Sequence, residues 1–145
     1  MKNVSQQRMR LSVIEARELA ESVLGKVGFD AEEARIIGDH VIDAALCGYE
    51  YSGLPKILNI LEGRRFQQPR APMRVVRETS VSVLFDGGNN VGMVTMYRAT
   101  QVAIAKAHET VRNIHWFSVT ETRGQVVDGK VAHWQVSLKI GFTLE

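Results

Sequence analysis

Trp116-Phe-Ser-Val-Thr-Glu-Thr-Arg-Gly-Gln-Val-Val-Asp-Gly-Lys-Val-Ala-His-Trp-Gln-Val-Ser-Leu-Lys-Ile-Gly-Phe-Thr-Leu-Glu145 is the stretch that decides how this chain is read. Asp128-Gly129 supplies the two positive-φ positions of a type I′ turn, so the stretch predicts one long β-hairpin. Regular pairing outward from the turn sets Val126 opposite Val131, Val119 opposite Leu138, Phe117 opposite Ile140 and Gln135 opposite Thr122. One face is then apolar: Phe117, Val119, Val136, Leu138, Ile140, Phe142 and Leu144. The other carries Trp116, Ser118, Thr120, Thr122, His133, Gln135, Ser137 and Lys139. An indole on the polar face is out of place there and points to a ligand.

An isolated two-stranded ribbon is marginal in water. It must pair with another strand, be covered by a helix, or assemble with other copies. The preceding sequence offers partners. Ser12-Val-Ile-Glu15 is a capping box, followed at helical spacing by Ile14, Leu19, Ala20, Val23, Leu24 and Val27, with Gly25 and Gly28 as the stop. Asp30-Ala-Glu-Glu33 opens a second helix whose buried stripe is Ala34, Ile37, Val41, Ala44 and Ala45, closed by Gly48. A third helix starts between Ser52 and Pro55 and runs to Gly63. After a loop with Pro69 and Pro72, Val75-Val76 and Ser80–Phe85 read as short strands. Asp86-Gly-Gly-Asn-Asn90 is a turn cluster. A helix over 94–112 follows, with Val102, Ile104, Ala105 and His108 facing inward, and then the hairpin.

The chain has 145 residues, 45% hydrophobic and 23% charged, with a net charge of +2. That length makes about one domain, or a small domain with an extension. The charge gives no basic surface for nucleic acid or membrane. Arg64-Arg65…Arg70…Arg74…Arg77, the densest basic run, is interrupted by Pro69 and reads as a solvated loop. The one cysteine, Cys47, reads as a small core filler and excludes an intrachain disulfide. No apolar run reaches a membrane span and the N-terminus lacks a signal-peptide core, so a cytoplasmic protein is expected.

Ala-His-Glu-Thr-Val-Arg-Asn-Ile-His-Trp-Phe at 107–117, Glu121-Thr-Arg-Gly124, Asp128-Gly-Lys-Val-Ala-His-Trp-Gln135 and Lys139-Ile-Gly-Phe142 resemble dodecin, from about residue 105 onward. The resemblance implies a β-α-β-β subunit whose sheet wraps its helix, in a homo-oligomer that can reach a dodecamer. It also implies flavin (riboflavin, FMN or FAD) stacked on a Trp and hydrogen-bonded by a Gln, at positions that fall on Trp116 and Gln135. In the regular register these two residues are roughly 20 Å apart at about 3.3 Å per residue. A site using both would therefore draw them from different subunits.

Asp43-Ala-Ala-Leu-Cys-Gly48, Gly53-Leu-Pro55, Leu84-Phe-Asp-Gly-Gly-Asn-Asn-Val-Gly92 and Tyr97-Arg98-Ala99 resemble the malate/L-lactate dehydrogenase family. That resemblance implies NAD(P)-dependent reduction of 2-oxo acids or cyclic imino acids. Ser52 stands where the family carries its proton-donating His, and serine cannot shuttle protons near neutral pH. Tyr51, or Tyr49, could donate a proton instead. The catalytic candidates are Asp43, Tyr51 and Ser52.

Of the other polar residues, His40, Asp39 and Asp43 suggest a carboxylate–imidazole cluster on the second helix. His115 and His133 fall on opposite ribbon faces and make no metal pair. Trp134 alternates to the apolar side. Glu121 and Arg123 are expected in salt bridges along the ribbon or between subunits. Asp86–Gly92, ahead of a helix, has the make-up of an anion cradle but lacks phosphate-loop residues and reads as a turn.

The expected fold is α+β: a helical region over 1–79, then a β-α-β-β dodecin-like unit over 80–145 with an antiparallel sheet packed on one helix. In it, the Ser80–Phe85 strand stands in for dodecin's first strand beside the ribbon. The leading functional reading is flavin binding or storage by an oligomer, fused to an incomplete dehydrogenase-like region. The alternatives are an NAD(P)-dependent oxidoreductase, and a chimera joined within the 94–112 helix with no selected function.

Overall fold

The computed structural model describes residues 9–64, 66–79, 82–127 and 130–144, with side chains of 124–134 left aside. The Asp128-Gly129 turn, Ser80 and Val81 lie outside the described residues, as do the side chains of His133 and Trp134. The elements are α1 (Val13–Lys26), α2 (Ala31–Leu46), a 3-10 turn (Glu50–Ser52), α3 (Pro55–Glu62), β1 (Arg74–Glu78), β2 (Val83–Asp86), α4 (Gly92–His108), β3 (Ile114–Val127) and β4 (Lys130–Phe142). The class is α+β, as expected. The chain divides into two compact units, Met1–Gly63 and Arg64–Glu145.

In the first unit both capping boxes form. The Ser12 Oγ accepts from the Glu15 N–H at 3.2 Å, and the Asp30 Oδ1 accepts from the Glu33 N–H at 2.8 Å. The Ser12 backbone N–H, followed by its hydroxyl, holds the Glu15 carboxyl below its ordinary range. Ala20, Leu24 and Phe29 pack with Ala34, Ile36, Ile37, Val41 and Ile42 as the core. Four expectations fail here. Ile14 and Leu19 are exposed, so the buried stripe of α1 is narrower than its periodicity implied. Ala45 is exposed, with Ile36 and Ile42 buried instead. Gly25 lies inside α1, and it is Gly28, at φ 97°, that reverses the chain. Cys47 is exposed at the C-cap of α2 rather than filling the core.

In the second unit the strands form two separate antiparallel pairs, β1–β2 and β3–β4. β2 does not stand beside the ribbon as a replacement strand; it hydrogen-bonds to β1, and lies against β4 without pairing to it. The physical reason is locality. Only a few residues separate β1 from β2, so closing that hairpin costs less chain entropy than reaching the ribbon. Thr79 and Ser82 tie its near end, N–H to carbonyl at 2.8 Å. Arg74 clasps Asp86 at its far end, Nε and Nη2 each 3.0 Å from Oδ2. Arg74 and Arg77 therefore belong to a strand, not to a loop as the basic run suggested.

Asp86 also accepts the Gly88 N–H at 3.0 Å, and this bond, with the Arg74 guanidinium, lowers its carboxyl. Asn90 donates to the carbonyls of Ala71 and Gly87, both at 2.7 Å. Gly88 is at φ 62°, where any Cβ would collide with the Ala71 carbonyl. The polar groups of this cluster are spent on closing the turn.

α4 ends at His108, four residues short of the expected 112, and Asn113 takes a left-handed φ of 54° just ahead of β3. Val94 and Thr95 are its buried residues. Val102, Ala105 and His108 are exposed and Ile104 is half-buried, so the inward face predicted for its second half is open. Lys106 bridges Glu78 at 2.8 Å and Glu109 at 2.9 Å, and these carboxylates, Glu78 foremost, push its ammonium up to about 12.

The ribbon pairs Phe117 with Ile140, Val119 with Leu138 and Val126 with Val131, matching the regular register at those points. Between them the register shifts at three places, Ile114/Trp116, Val119/Glu121 and Gln125/Val126. The second shift leaves Thr120 without a cross-strand partner, as a bulge does. Below it, Thr122 pairs with Val136, on the apolar side, and Arg123 replaces Thr122 opposite Gln135.

Candidate functional site

Directly opposed residues project to the same side of a ribbon. Trp116 pairs with Gly141, Ser118 with Lys139, Glu121 with Ser137 and Arg123 with Gln135, so these residues share one face. The Trp116 indole lies across Gly141: a Cβ at that glycine would overlap the ring at Cε2 and Nε1. The missing side chain lets the ring lie on the backbone of β4, with 58% of the residue still exposed. The outcome is a flat apolar surface open to solvent on a polar face. His115, the residue skipped at the neighbouring register shift, is exposed and reaches the Thr143 hydroxyl at 3.3 Å.

Gln135 sits on the same face, six residues along β4 from Gly141, or roughly 20 Å at about 3.3 Å per residue. Its carbonyl Oε1 accepts from Arg123 Nε at 3.0 Å. Arg123 Nη1 is 3.7 Å from the Glu121 carboxylate. The expected Glu121–Arg123 ion pair is thus present, and Gln135 joins it. The opposite face leaves Phe117, Val119 and Phe142 about half exposed. A concavity of ≈ 380 Å³ opens between α4 and the start of β3, lined by Gln101, Ile104, Ala105, His108 and Ile114.

The dehydrogenase-like candidates lie in the first unit. Tyr51 is 73% exposed, with its hydroxyl accepting from Asn59 Nδ2 at 3.3 Å and Lys56 Nζ 5.9 Å from its ring centre. Ser52 is half-buried in the 3-10 turn, its N–H bonded to the Tyr49 carbonyl at 3.0 Å. Asp43 is exposed on α2. The expected cluster around His40 does not form: Asp39 binds Arg17 on α1 and Arg35 one turn earlier, the latter at 2.9 Å. Opposite charge within reach of a helix neighbour takes the carboxylate first. Among the described residues no group of three metal-binding side chains occurs, and no helix is long and apolar enough to cross a membrane.

The family model for dodecin matches residues 93–145, from the first turn of α4 to the end of the chain. Dodecin from Thermus thermophilus is 45% identical over 47 residues, covering 32% of this chain and 68% of its own length. The chain belongs to the dodecin family. Its dodecin segment comprises α4, β3 and β4, so the indole, the amide and the ion pair all lie within it.

The chain is also similar to L-sulfolactate dehydrogenase from Methanothermobacter thermautotrophicus, 31% identical over 104 residues, which covers 70% of this chain and 30% of that enzyme. Malate dehydrogenase from Pyrococcus horikoshii has a solved structure matching 76% of this chain and 32% of its own, at TM-score 0.65 and 29% identity. The chain spans about a third of the length of these dehydrogenases. It therefore carries a dodecin segment joined to a part of a dehydrogenase-like fold.

The sequence singled out Trp116 and Gln135, which the ribbon places on one face, but neither Gly141 under the ring nor the bond from Arg123 to Gln135 was read from it. The Gly141 signal was legible, since a glycine inside a strand marks a close approach. The Arg123 contact was not, because it follows from a one-residue shift that alternation cannot reveal.

Proposed function

We propose that this chain binds a flavin through its dodecin segment, as a homo-oligomer, with Trp116 and Gln135 as the contacting residues. The observation that carries the reading is the exposed indole seated over Gly141, on the face that also presents the Gln135 amide. A planar isoalloxazine fits such a platform by offset stacking. The amide offers donors and an acceptor to the ring's pyrimidine edge. With about 20 Å of strand between the two residues, one ring meets both only when they come from different copies. The half-open apolar face, with Phe117, Val119 and Phe142, supports the same assembly, since self-association would remove it from water. A stacked store needs no general acid or base: the indole quenches and shields, and the amide orients.

The test is riboflavin or FMN fluorescence followed during titration, with the oligomer sized on a column. Quenching by a large oligomer, abolished by Trp116→Ala, is the expected result. A monomer that leaves the fluorescence untouched refutes the proposal.

The likeness to malate and sulfolactate dehydrogenases over most of the chain favours a second reading, NAD(P)-dependent reduction of 2-oxo acids. Ser52 in the histidine position argues against it, and Tyr51 stands out in solvent. NADH oxidation with pyruvate or oxaloacetate, lost in Tyr51→Phe or Asp43→Asn, would establish it over the first.

A further inference from the structure

The turn ahead of α4 engages its own side chains and leaves the start of the helix bare. Asp86 answers Arg74 and the Gly88 N–H, and Asn90 bridges two carbonyls. The N–H groups of Gly92, Met93 and Val94 have no acceptor within the helix. No side chain caps them, since Val91 stands at the N-cap, where α1 and α2 place Ser12 and Asp30. A Cβ at Gly92 would meet nothing within 4 Å, so the first turn is open on that side. Thr95 gives an independent sign. It is 7% exposed, and its Oγ1 has no hydrogen-bond partner among the described residues. Helical side chains lean toward the N-terminus, and Thr95 lies one turn beyond Val91 on the same face, so its side chain is directed back at the helix start. There it lies against Gly87: a Cβ on that glycine would stand 3.3 Å from Oγ1 and 3.0 Å from Cγ2. The usual outlet for a helical threonine hydroxyl is the carbonyl four residues earlier. Here the Val91 carbonyl takes the Thr95 N–H at 3.0 Å and no bond from the hydroxyl.

We infer that the N-terminus of α4 binds a phosphoryl group, held by the N–H groups of Gly92, Met93 and Val94 and by the Thr95 hydroxyl. Every group gathered there is a hydrogen-bond donor, and the helix adds its positive end, which together favour an oxyanion over a neutral or cationic ligand. A buried hydroxyl without a partner costs free energy, and an anionic oxygen at the helix start relieves that cost along with the bare N–H groups. The neighbouring carboxylate does not oppose the anion strongly, because Asp86 is already matched by the Arg74 guanidinium. Glycines at 87 and 92 keep side chains away from the donors. The turn lacks the Lys and Ser/Thr of a phosphate loop; Thr95 supplies the hydroxyl from inside the helix instead. Free phosphate and the phosphate ester of a larger molecule present the same oxygens to these donors. The site shares no residue with the Trp116 face and stands whether or not a flavin binds there.

The experiment is thermal melting of the full chain against inorganic phosphate and, separately, AMP, at an ionic strength held constant with chloride. Phosphate at about ten times its Kd raises Tm by roughly 3–5 °C. Thr95→Val, nearly the same shape without the hydroxyl, weakens binding at least about tenfold and loses most of that rise. Its Tm without phosphate is no lower than that of wild type, because the hydroxyl removed was bonded to nothing. Thr95→Ser keeps the hydroxyl and keeps the rise. Val91→Asp sets a carboxylate on the same N–H groups, so its Tm without phosphate goes up and its response to phosphate disappears. A rise with inorganic phosphate assigns the site to the free ion, and a rise with AMP alone assigns it to a phosphate ester; either supports the site when Thr95→Val removes it. No rise in wild type with either probe overturns the proposal, and so does a rise that survives undiminished in Thr95→Val or Val91→Asp, because the anion then binds elsewhere. A lower Tm for Thr95→Val without phosphate overturns it as well, since the hydroxyl would then have a partner in the chain.

Discussion

Replacing Gly141 with Ala tests whether the indole platform is built the way its geometry implies. The Cβ of an alanine would occupy the space of the Trp116 ring, so the ring must swing off β4. Trp116 is 58% exposed, leaving 42% (100 − 58) of its surface covered. For a residue of at most about 250 Å² that is roughly 100 Å², worth up to about 2.5 kcal/mol at about 25 cal/mol per Å². Alanine returns up to about 1 kcal/mol by restricting the unfolded chain. The expected net loss is about 1–2 kcal/mol, or roughly 3–6 °C in Tm for a chain of this size. The assay is thermal melting and indole emission in a Trp134→Phe background, which leaves Trp116 as the reporter. Red-shifted emission, a lower Tm and weaker riboflavin quenching are expected together. Repeating the change in Trp116→Leu should abolish most of the Tm penalty. Unchanged emission and Tm in Gly141→Ala would refute the seating of the ring on the glycine.

Asp30→Ala removes the side-chain acceptor for the Glu33 N–H and should cost about 1 kcal/mol, read as a lower Tm. Ile37→Ala empties a fully buried position and should lower stability by about 2–5 kcal/mol in urea titrations. Asp86 and Glu15 have folded values below their ordinary ones, 3.8 and 4.5, so they stabilise above those values and lose that contribution as pH falls through the lowered folded ones. The acid fall in Tm should be shallower in Asp86→Asn and Glu15→Gln. Lys106, raised from 10.5 to about 12, contributes fully below 10.5 and loses its contribution as pH rises through about 12. Melting curves across that window should be flatter in Lys106→Met.

How legible the site was depended on what kind of information each residue carried. The capping residues Ser12, Glu15, Asp30 and Glu33 act over three positions, and both helix starts were readable from them alone. The long hairpin was readable because its halves alternate and are adjacent in sequence. Trp116 was conspicuous because it broke that alternation. The extent of the buried stripes was not readable: Ile14 and Leu19 have helical spacing but end up exposed, since burial needs a facing partner and not only a period. The pairing of β2 was missed for a related reason, as a nearby strand competed for it and won on loop length.

By itself the sequence determined which segments become helix or strand, where α1 and α2 begin, and that an aromatic ring stands on the polar side of the ribbon. These follow from local hydrogen-bond chemistry and from periods of 3.6 and 2 residues. Tertiary structure decided which strands share a sheet, that Gly141 lies beneath Trp116, and that Arg123 rather than Thr122 meets Gln135. A bulge adds one residue to one strand and changes the partner of every residue beyond it until another shift compensates, which no reading of either strand alone contains.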